Sequence, residues 1–408
     1  MKRRTILLIA LTLIIVLLCV LLYIPRKKNY DEEKERELIL NGEKNVAEVF
    51  NQGENILCYN GYTFIVDKEK NSIIKYSEKD SVGTQIIHSV QETIGNQIFI
   101  MGNRLIFNRG NSTYSSDLNG KNSKKVTEGN IVYMDDNVFV YILQDVSSQY
   151  VCITSYNNKN LERTTDMLFN IAKGNEINYL KRQDKILFFY SYNTNGTTTV
   201  FSVDLDKSES KVLINSTTQN EDERYEYVDV AKVGNILYSL QATYQFSTDH
   251  ETYSTNAIYT TYIDTIVTEC CMRNTKPAMR IFTDGKKLFT KEYNSDTKQY
   301  DWVYGSFDDN GDFVTEKVSI LDKNSKEYYW TNILYGDLTE LFTLENGELK
   351  LNGSPFTTLA NDSKNLALKY AGLFSEKVYV LINQSGKNIW FRFDKDGSNP
   401  KKIYEYNK

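Results

Sequence analysis

Eight times along this chain a polar or glycine residue introduces a β-branched residue or leucine, followed by an aromatic or leucine and further strand formers. The copies are Asn55-Ile56-Leu57, Gln97-Ile98-Phe99, Asn137-Val138-Phe139, Lys185-Ile186-Leu187, Asn235-Ile236-Leu237, Lys287-Leu288-Phe289, Glu340-Leu341-Phe342 and Lys377-Val378-Tyr379. Measured between their second residues, the gaps are 42, 40, 48, 50, 52, 53 and 37 residues, with a mean of 46. A fixed period of this length is the mark of a stacked or radial repeat, and a unit of about 40–50 residues is the size of a four-stranded propeller blade. A helical solenoid would need a 3.6-residue apolar period, which this region lacks, and a β-sandwich would not repeat so regularly. Aromatic residues make up 13% of the chain, with 30 Tyr and 19 Phe, a composition that favours strands.

A second element recurs at the end of several units. Asp117-Leu118-Asn119-Gly120-Lys121-Asn122-Ser123-Lys124-Lys125-Val126 and Asp394-Lys395-Asp396-Gly397-Ser398-Asn399-Pro400-Lys401-Lys402-Ile403 match in register. Asp204-Leu205-Asp206-Lys207-Ser208 and Asp308-Asp309-Asn310-Gly311 are looser versions. Asn-Gly and Asp-Gly supply the positive φ angles that tight hairpins require. The expectation is a β-meander in each unit and an all-β propeller over residues 53–408. Eight blades fit the eight anchors best, and seven follow if the first or last unit is partial.

The strand-and-turn pattern ending in Asp394-Lys395-Asp396-Gly397-Ser398-Asn399-Pro400-Lys401-Lys402-Ile403 resembles the blades of LDL-receptor-like and TolB-like β-propellers, in particular a bacterial propeller family of unknown function found on secreted or anchored proteins. The resemblance covers roughly residues 53–408. The blade motif of LDL receptors survives as Tyr329-Trp330-Thr331-Asn332. The resemblance implies a fold and transfers no functional residues.

Ahead of the repeat, Thr5 to Ile24 is an unbroken apolar run interrupted only by Thr12. Twenty helical residues span about 30 Å, the thickness of a bilayer core. No Ala, Gly or Ser follows Ala10 within the run, and Leu18 precedes Cys19 where a lipidated cysteine would follow a small residue. An uncleaved signal anchor is therefore expected rather than a cleaved leader. Lys2, Arg3 and Arg4 precede the run and Arg26, Lys27 and Lys28 follow it, so the charge count barely orients it. The basic tip before an N-terminal apolar segment places residues 1–4 in the cytoplasm, residues 5–24 in the membrane and the bulk outside. Residues 25–52 are a charged spacer.

The first 30 residues carry six positive charges and no acid, so an overall −5 leaves −11 on everything from Asp31 onward. An acidic body repels phosphate backbones, which excludes nucleic acid as an expected partner. Chemistry is sparse. There are two histidines, His88 and His250, and neither a nucleophile-elbow serine motif nor a zinc-protease helix. The acidic turns lack the spacing of calcium loops, and no glycine-rich phosphate loop follows a strand, so no metal or cofactor is expected. Cys58, Cys152, Cys270 and Cys271 match neither a disulfide framework nor a zinc ribbon.

The reading that follows is a membrane-held propeller that binds or scaffolds cell-envelope proteins or glycans. The alternative is a carbohydrate-active enzyme working through a carboxylate pair in the channel. The longest gaps fall in the fifth and sixth units, and Ala242 to Asn256 and Cys270 to Pro277 read as the least strand-like stretches of the repeat. A loop carrying Tyr244, Phe246, His250 and Tyr253 is the expected binding surface.

Overall fold

The computed structural model describes residues 55–407, leaving out 60, 78, 80–81, 102, 135–137, 157–162, 168–175, 194–195, 208, 218–222, 248–249, 274–280, 284, 297, 319–335, 360–365 and 375–376. The apolar run, the spacer and the Tyr329–Asn332 motif lie outside the described residues. Among the described residues no helix is long and apolar enough to cross a membrane.

Strands account for nearly all of the rest, and they form eight antiparallel sheets in chain order. Blades 1 to 6 span 56–88, 94–128, 130–167, 176–217, 223–273 and 282–317, each a four-stranded meander. Blade 7 spans 342–358 with three strands, and blade 8 spans 366–407 with four of its own. A two-residue strand, Gly336–Asp337, leaves the path to blade 7 and pairs instead with the first strand of blade 8. The protein is an eight-bladed β-propeller.

First strands pack against first strands of the next blade, as in Ile56–Tyr59 against Ile94–Met101 and Glu176–Gln183 against Glu223–Val233, so they surround the axis. Fourth strands, such as Thr84–His88 and Phe313–Lys317, are largely exposed and form the rim. Because each blade is a meander, the turns between second and third strands all emerge on one face of the disc, beside the start of each first strand.

The sequence anchors found the right number of blades in a mixed phase. Ile56 and Ile98 lie on first strands, Val138, Ile186, Ile236, Leu288 and Val378 on second strands, and Leu341 ends a 3-10 turn. First and second strands are both buried on two faces in a propeller, so both read as apolar runs and periodicity does not tell them apart.

The two matched turns close the third-to-fourth-strand hairpins of blades 2 and 8. The leading aspartate braces each turn: Asp117 accepts from Asn119 N and Lys121 N at 2.9 Å and from Asn122 Nδ2 at 3.0 Å, while Asp394 accepts from Asn399 Nδ2 at 2.9 Å and, outside the turn, from Lys377 Nζ at 2.7 Å. Each glycine is required twice. Gly120 and Gly397 have φ of +77° and +84°, and a Cβ there would meet a backbone oxygen of the preceding blade at 2.0 Å (Ile86 O) and 2.2 Å (Phe356 O). The repeated turn is thus also a blade-to-blade contact.

Amides tie neighbouring blades near the axis. Asn71 Oδ1 accepts from Ile94 N at 2.7 Å, Asn108 Oδ1 from Ile131 N at 3.0 Å, and Gln149 Oε1 from Ile177 N at 2.6 Å. Each caps the entry to the next first strand, where a backbone N–H would otherwise be buried without a partner.

The segment expected to be a loop is a ladder. Ile236–Ser247 and His250–Tyr262 are 12 and 13 residues long and stay paired out to Ser247 opposite His250. Their counterparts in blade 4 have 7 and 8 residues. The extra length is a hairpin that projects from the second-to-third-turn face. Its sequence reads as loop because polar and aromatic residues mix there without the alternation that marks a half-buried strand. Cys270 to Arg273 likewise belong to a strand, Val267–Arg273, and residues 274–280 lie outside the described residues.

Candidate binding site

The ring closes where blade 8 meets blade 1, with no strand exchanged between them among the described residues. Closure is made by side chains. Ile56, Ile65, Ile74 and Tyr76 of blade 1 share one apolar cluster with Tyr370, Tyr379, Trp390 and Ile403 of blade 8. At its centre is Asp67, the last residue of Tyr62–Asp67 and fully buried. Asp67 Oδ2 accepts from Trp390 Nε1 at 2.7 Å, and Oδ1 accepts from Tyr406 OH at 2.9 Å and Lys70 N at 3.0 Å. Burial, then the charge of Asp67, raises the Tyr406 hydroxyl far above the usual phenol range. Nearby, Tyr379 OH lies 3.3 Å from Thr63 Oγ1, and burial raises its pKa as well.

Above this seam, on the face from which the second-to-third turns emerge, lies a cavity of ≈290 Å³. Val66, Leu381, Tyr370 and Trp390 form its apolar part. Lys68 and Glu69 come from the turn after Tyr62–Asp67, Lys369 from the first strand of blade 8, and Asp337 and Thr339 from the approach to blade 7. Asn55, at the head of blade 1, completes it.

A backbone irregularity delivers the blade 8 residues. Its first strand slips register between Leu368 and Tyr370, making Lys369 an extra, exposed residue and turning Tyr370 into the seam. The first strands of blades 4 and 5 also slip, around Leu180 and Val228, and there the residues that follow are Lys181 and Asp229. These two form a buried ion pair at 2.9 Å. Lys181 Nζ also donates to Ile281 O at 3.0 Å, and Asp229 Oδ2 accepts from Ile281 N at 3.0 Å, so one pair joins blades 4, 5 and 6.

The cavity's own carboxylates are partly committed. Asp337 Oδ1 accepts from Thr339 N at 3.0 Å and from Thr339 Oγ1 at 2.7 Å. Glu69 is exposed, as are Lys68 and Lys369. Two ammonium groups, two carboxylates, an amide and two aromatic rings make a lining of balanced charge with an apolar floor. A second cavity of ≈230 Å³ on blade 6 is lined by Asp301, Lys317, Glu292 and Thr315, which bond one another: Asp301 to Lys317 at 2.7 Å, and Thr315 Oγ1 to Glu292 at 2.9 Å.

Of the residues expected to bind, Tyr244 is half-buried, with Arg224 5.7 Å from its ring. Phe246, His250 and Tyr253 lie on the projecting hairpin, with side chains outside the described ones. The hairpin stands on the same face as the seam cavity but in blade 5, three blades from blade 8 and four from blade 1, so the structure does not bring these residues to the cavity. His88 is an exposed residue at the end of a rim strand. None of the four described cysteines is in a disulfide, and burial pushes the Cys271 thiol up to about 12. Sequence reasoning missed Lys369, Tyr370 and Asp67, and took Asn55 only as a strand leader. No local pattern marks them, because they meet only when the ring closes.

No protein-family profile matches the chain, and no curated protein matches it. Among solved structures it is similar to an oligogalacturonate lyase in complex with manganese, at 11% identity over 72% of this chain and 83% of that one, with a TM-score of 0.36. It is similar also to a puromycin-hydrolyzing peptidase of Mycobacterium tuberculosis (9% identity, 82% of this chain, 51% of that one, TM-score 0.38). The β-propeller domain of the Trilobed protease from Pyrococcus furiosus gives 12% identity over 68% of this chain and 84% of that one, with a TM-score of 0.34. The chain spans about half the length of the peptidase. The fold assignment rests on the chain's own strand topology.

Proposed function

We propose that the chain is a non-catalytic binding module of the cell envelope, held in the membrane by residues 5–24 with its propeller outside the cytoplasm. Residues 1–4 are then the cytoplasmic tip and residues 25–52 the spacer that lifts the disc from the bilayer. The resemblance to a bacterial propeller family of unknown function, found on secreted or anchored proteins, fits the anchor and carries no activity. The observation that carries the binding reading is the mixed lining of the seam cavity, on the face that also bears the long hairpin. A glycosidase needs two carboxyls facing across a cleft, one protonated to act as acid. Here Asp337 is engaged by Thr339, Glu69 stands exposed at the mouth, and the buried Asp67 and Asp229 are each saturated by donors.

The test is retention of the full-length chain on isolated envelope fragments, with wild type compared against Lys369→Glu. Lys369 is exposed, so the variant folds, while the charge balance of the cavity is upset. Retention should fall several-fold. Equal retention, or turnover of an envelope polysaccharide by the wild type, would sink the proposal. Protease added to wall-stripped cells should digest the body, and full protection would reverse the orientation.

A further inference from the structure

We infer that the seam cavity takes a single neutral pyranose unit of an envelope glycan, and that Asn55 is the residue that selects it; this deepens the binding-module reading and rests on it. Asn55 has 7% of its surface exposed, lines the cavity, and its Oδ1 makes no hydrogen bond among the described residues. A buried amide oxygen without a donor is costly, so it marks a place where a donor is meant to arrive. Oδ1 itself is shielded from solvent, and the broad, two-fold terminal torsion of asparagine lets it rotate to meet a donor in the cavity.

The rest of the lining narrows the donor's owner. An anion would be drawn by Lys68 and Lys369 but would meet Glu69 and Asp337, and a cation would meet the reverse. Charge balance therefore favours a neutral ligand with several hydroxyls, which accept from ammonium groups and donate to carboxylates and to Asn55. The floor of Tyr370, Trp390 and Leu381 suits the C–H face of a sugar ring. At ≈290 Å³ the cavity sits at the lower edge of small-ligand sites, about 300–1,000 Å³, and so suits one ring rather than a chain. A hydroxyl and an acetamide N–H both satisfy Asn55, so a hexose and an N-acetylhexosamine share the required chemistry.

The experiment is calorimetric titration of the full-length chain, in a detergent without a sugar headgroup, with three probes: a chitin-type oligosaccharide, a neutral hexose oligosaccharide and an oligogalacturonate. One neutral probe should bind, and the winner tells acetamide from hydroxyl, while the uronate should bind at least tenfold more weakly. Asn55→Leu should reduce neutral-sugar affinity about tenfold or more, the usual loss when a buried hydrogen bond is removed, while leaving the melting temperature unchanged or higher. A purely structural Asn55 would instead lower the melting temperature and leave sugar affinity intact. Binding of neither neutral probe, preference for the uronate, or full affinity in Asn55→Leu overturns the inference. Continued retention on envelope fragments alongside any of these results would show that the glycan assignment has failed while the binding-module reading stands.

Discussion

Replacing Asp67 by alanine should open the ring at its seam. The carboxylate is fully buried and accepts three hydrogen bonds, two of them from the Trp390 indole and the Tyr406 hydroxyl of blade 8. Its removal strands both donors at about 1–3 kcal/mol each and leaves a small cavity, while Lys70 N at the turn regains water. The expected loss is about 3–5 kcal/mol, large against the whole stability of a domain. Asp67→Asn keeps the shape but presents an NH₂ to one of the donors. The tyrosine hydroxyl rotates to accept it and the indole cannot, so this variant should lose only about 1–3 kcal/mol. Urea unfolding followed by tryptophan fluorescence measures both. The diagnostic step is the double variant Asp67→Ala with Trp390→Phe. Phenylalanine has no N–H to strand, so the two changes together should cost about 1–3 kcal/mol less than their sum. Simple additivity, or a loss below about 1 kcal/mol in Asp67→Ala, would refute the view that Asp67 closes the ring.

Lys181→Met should cost about 3–5 kcal/mol by leaving Asp229 charged and buried, and adding Asp229→Leu should recover much of it in thermal melts; a silent Lys181→Met would show that the pair does not join blades 4 to 6. Gly285 and Gly120 both have positive φ, but only at Gly120 would a Cβ strike backbone, so Gly120→Ala should destabilise well beyond the roughly 1–2 kcal/mol of left-handed strain expected for Gly285→Ala, and equal losses in urea titrations would deny the blade contact. Burial pushes Tyr227, Tyr238 and Cys271 up to about 12. Their contribution is fully present below the ordinary phenol and thiol values and is lost as pH rises through about 12, so the urea midpoint should fall across that alkaline window together with tyrosinate absorbance; a flat midpoint there would contradict it. Trimming the hairpin back to Ala242 and Asn256 should leave the melting temperature nearly unchanged while weakening retention on envelope fragments, whereas a large drop in melting temperature would make the hairpin part of the core.

Local chemistry was legible in the chain, because it is set by neighbours a few residues apart. The 46-residue mean period reflects a unit that must bury two faces, and Asp117-Leu118-Asn119-Gly120 and Asp394-Lys395-Asp396-Gly397 write their turns in residues that tolerate positive φ. From these the all-β class and eight blades followed. The phase of the anchors did not, since inner and second strands are equally buried and equally apolar. The long hairpin did not either, since its sequence carries no polar and apolar alternation to detect. The seam lies beyond any local reading. Trp390 meets Asp67 across 323 residues of sequence, and Tyr370 reaches the cavity only because a one-residue slip turns it there. A repeat fixes what each blade is; where the last blade meets the first depends on the accumulated twist of all eight, and that geometry alone places Asn55, Lys68 and Lys369 around one cavity.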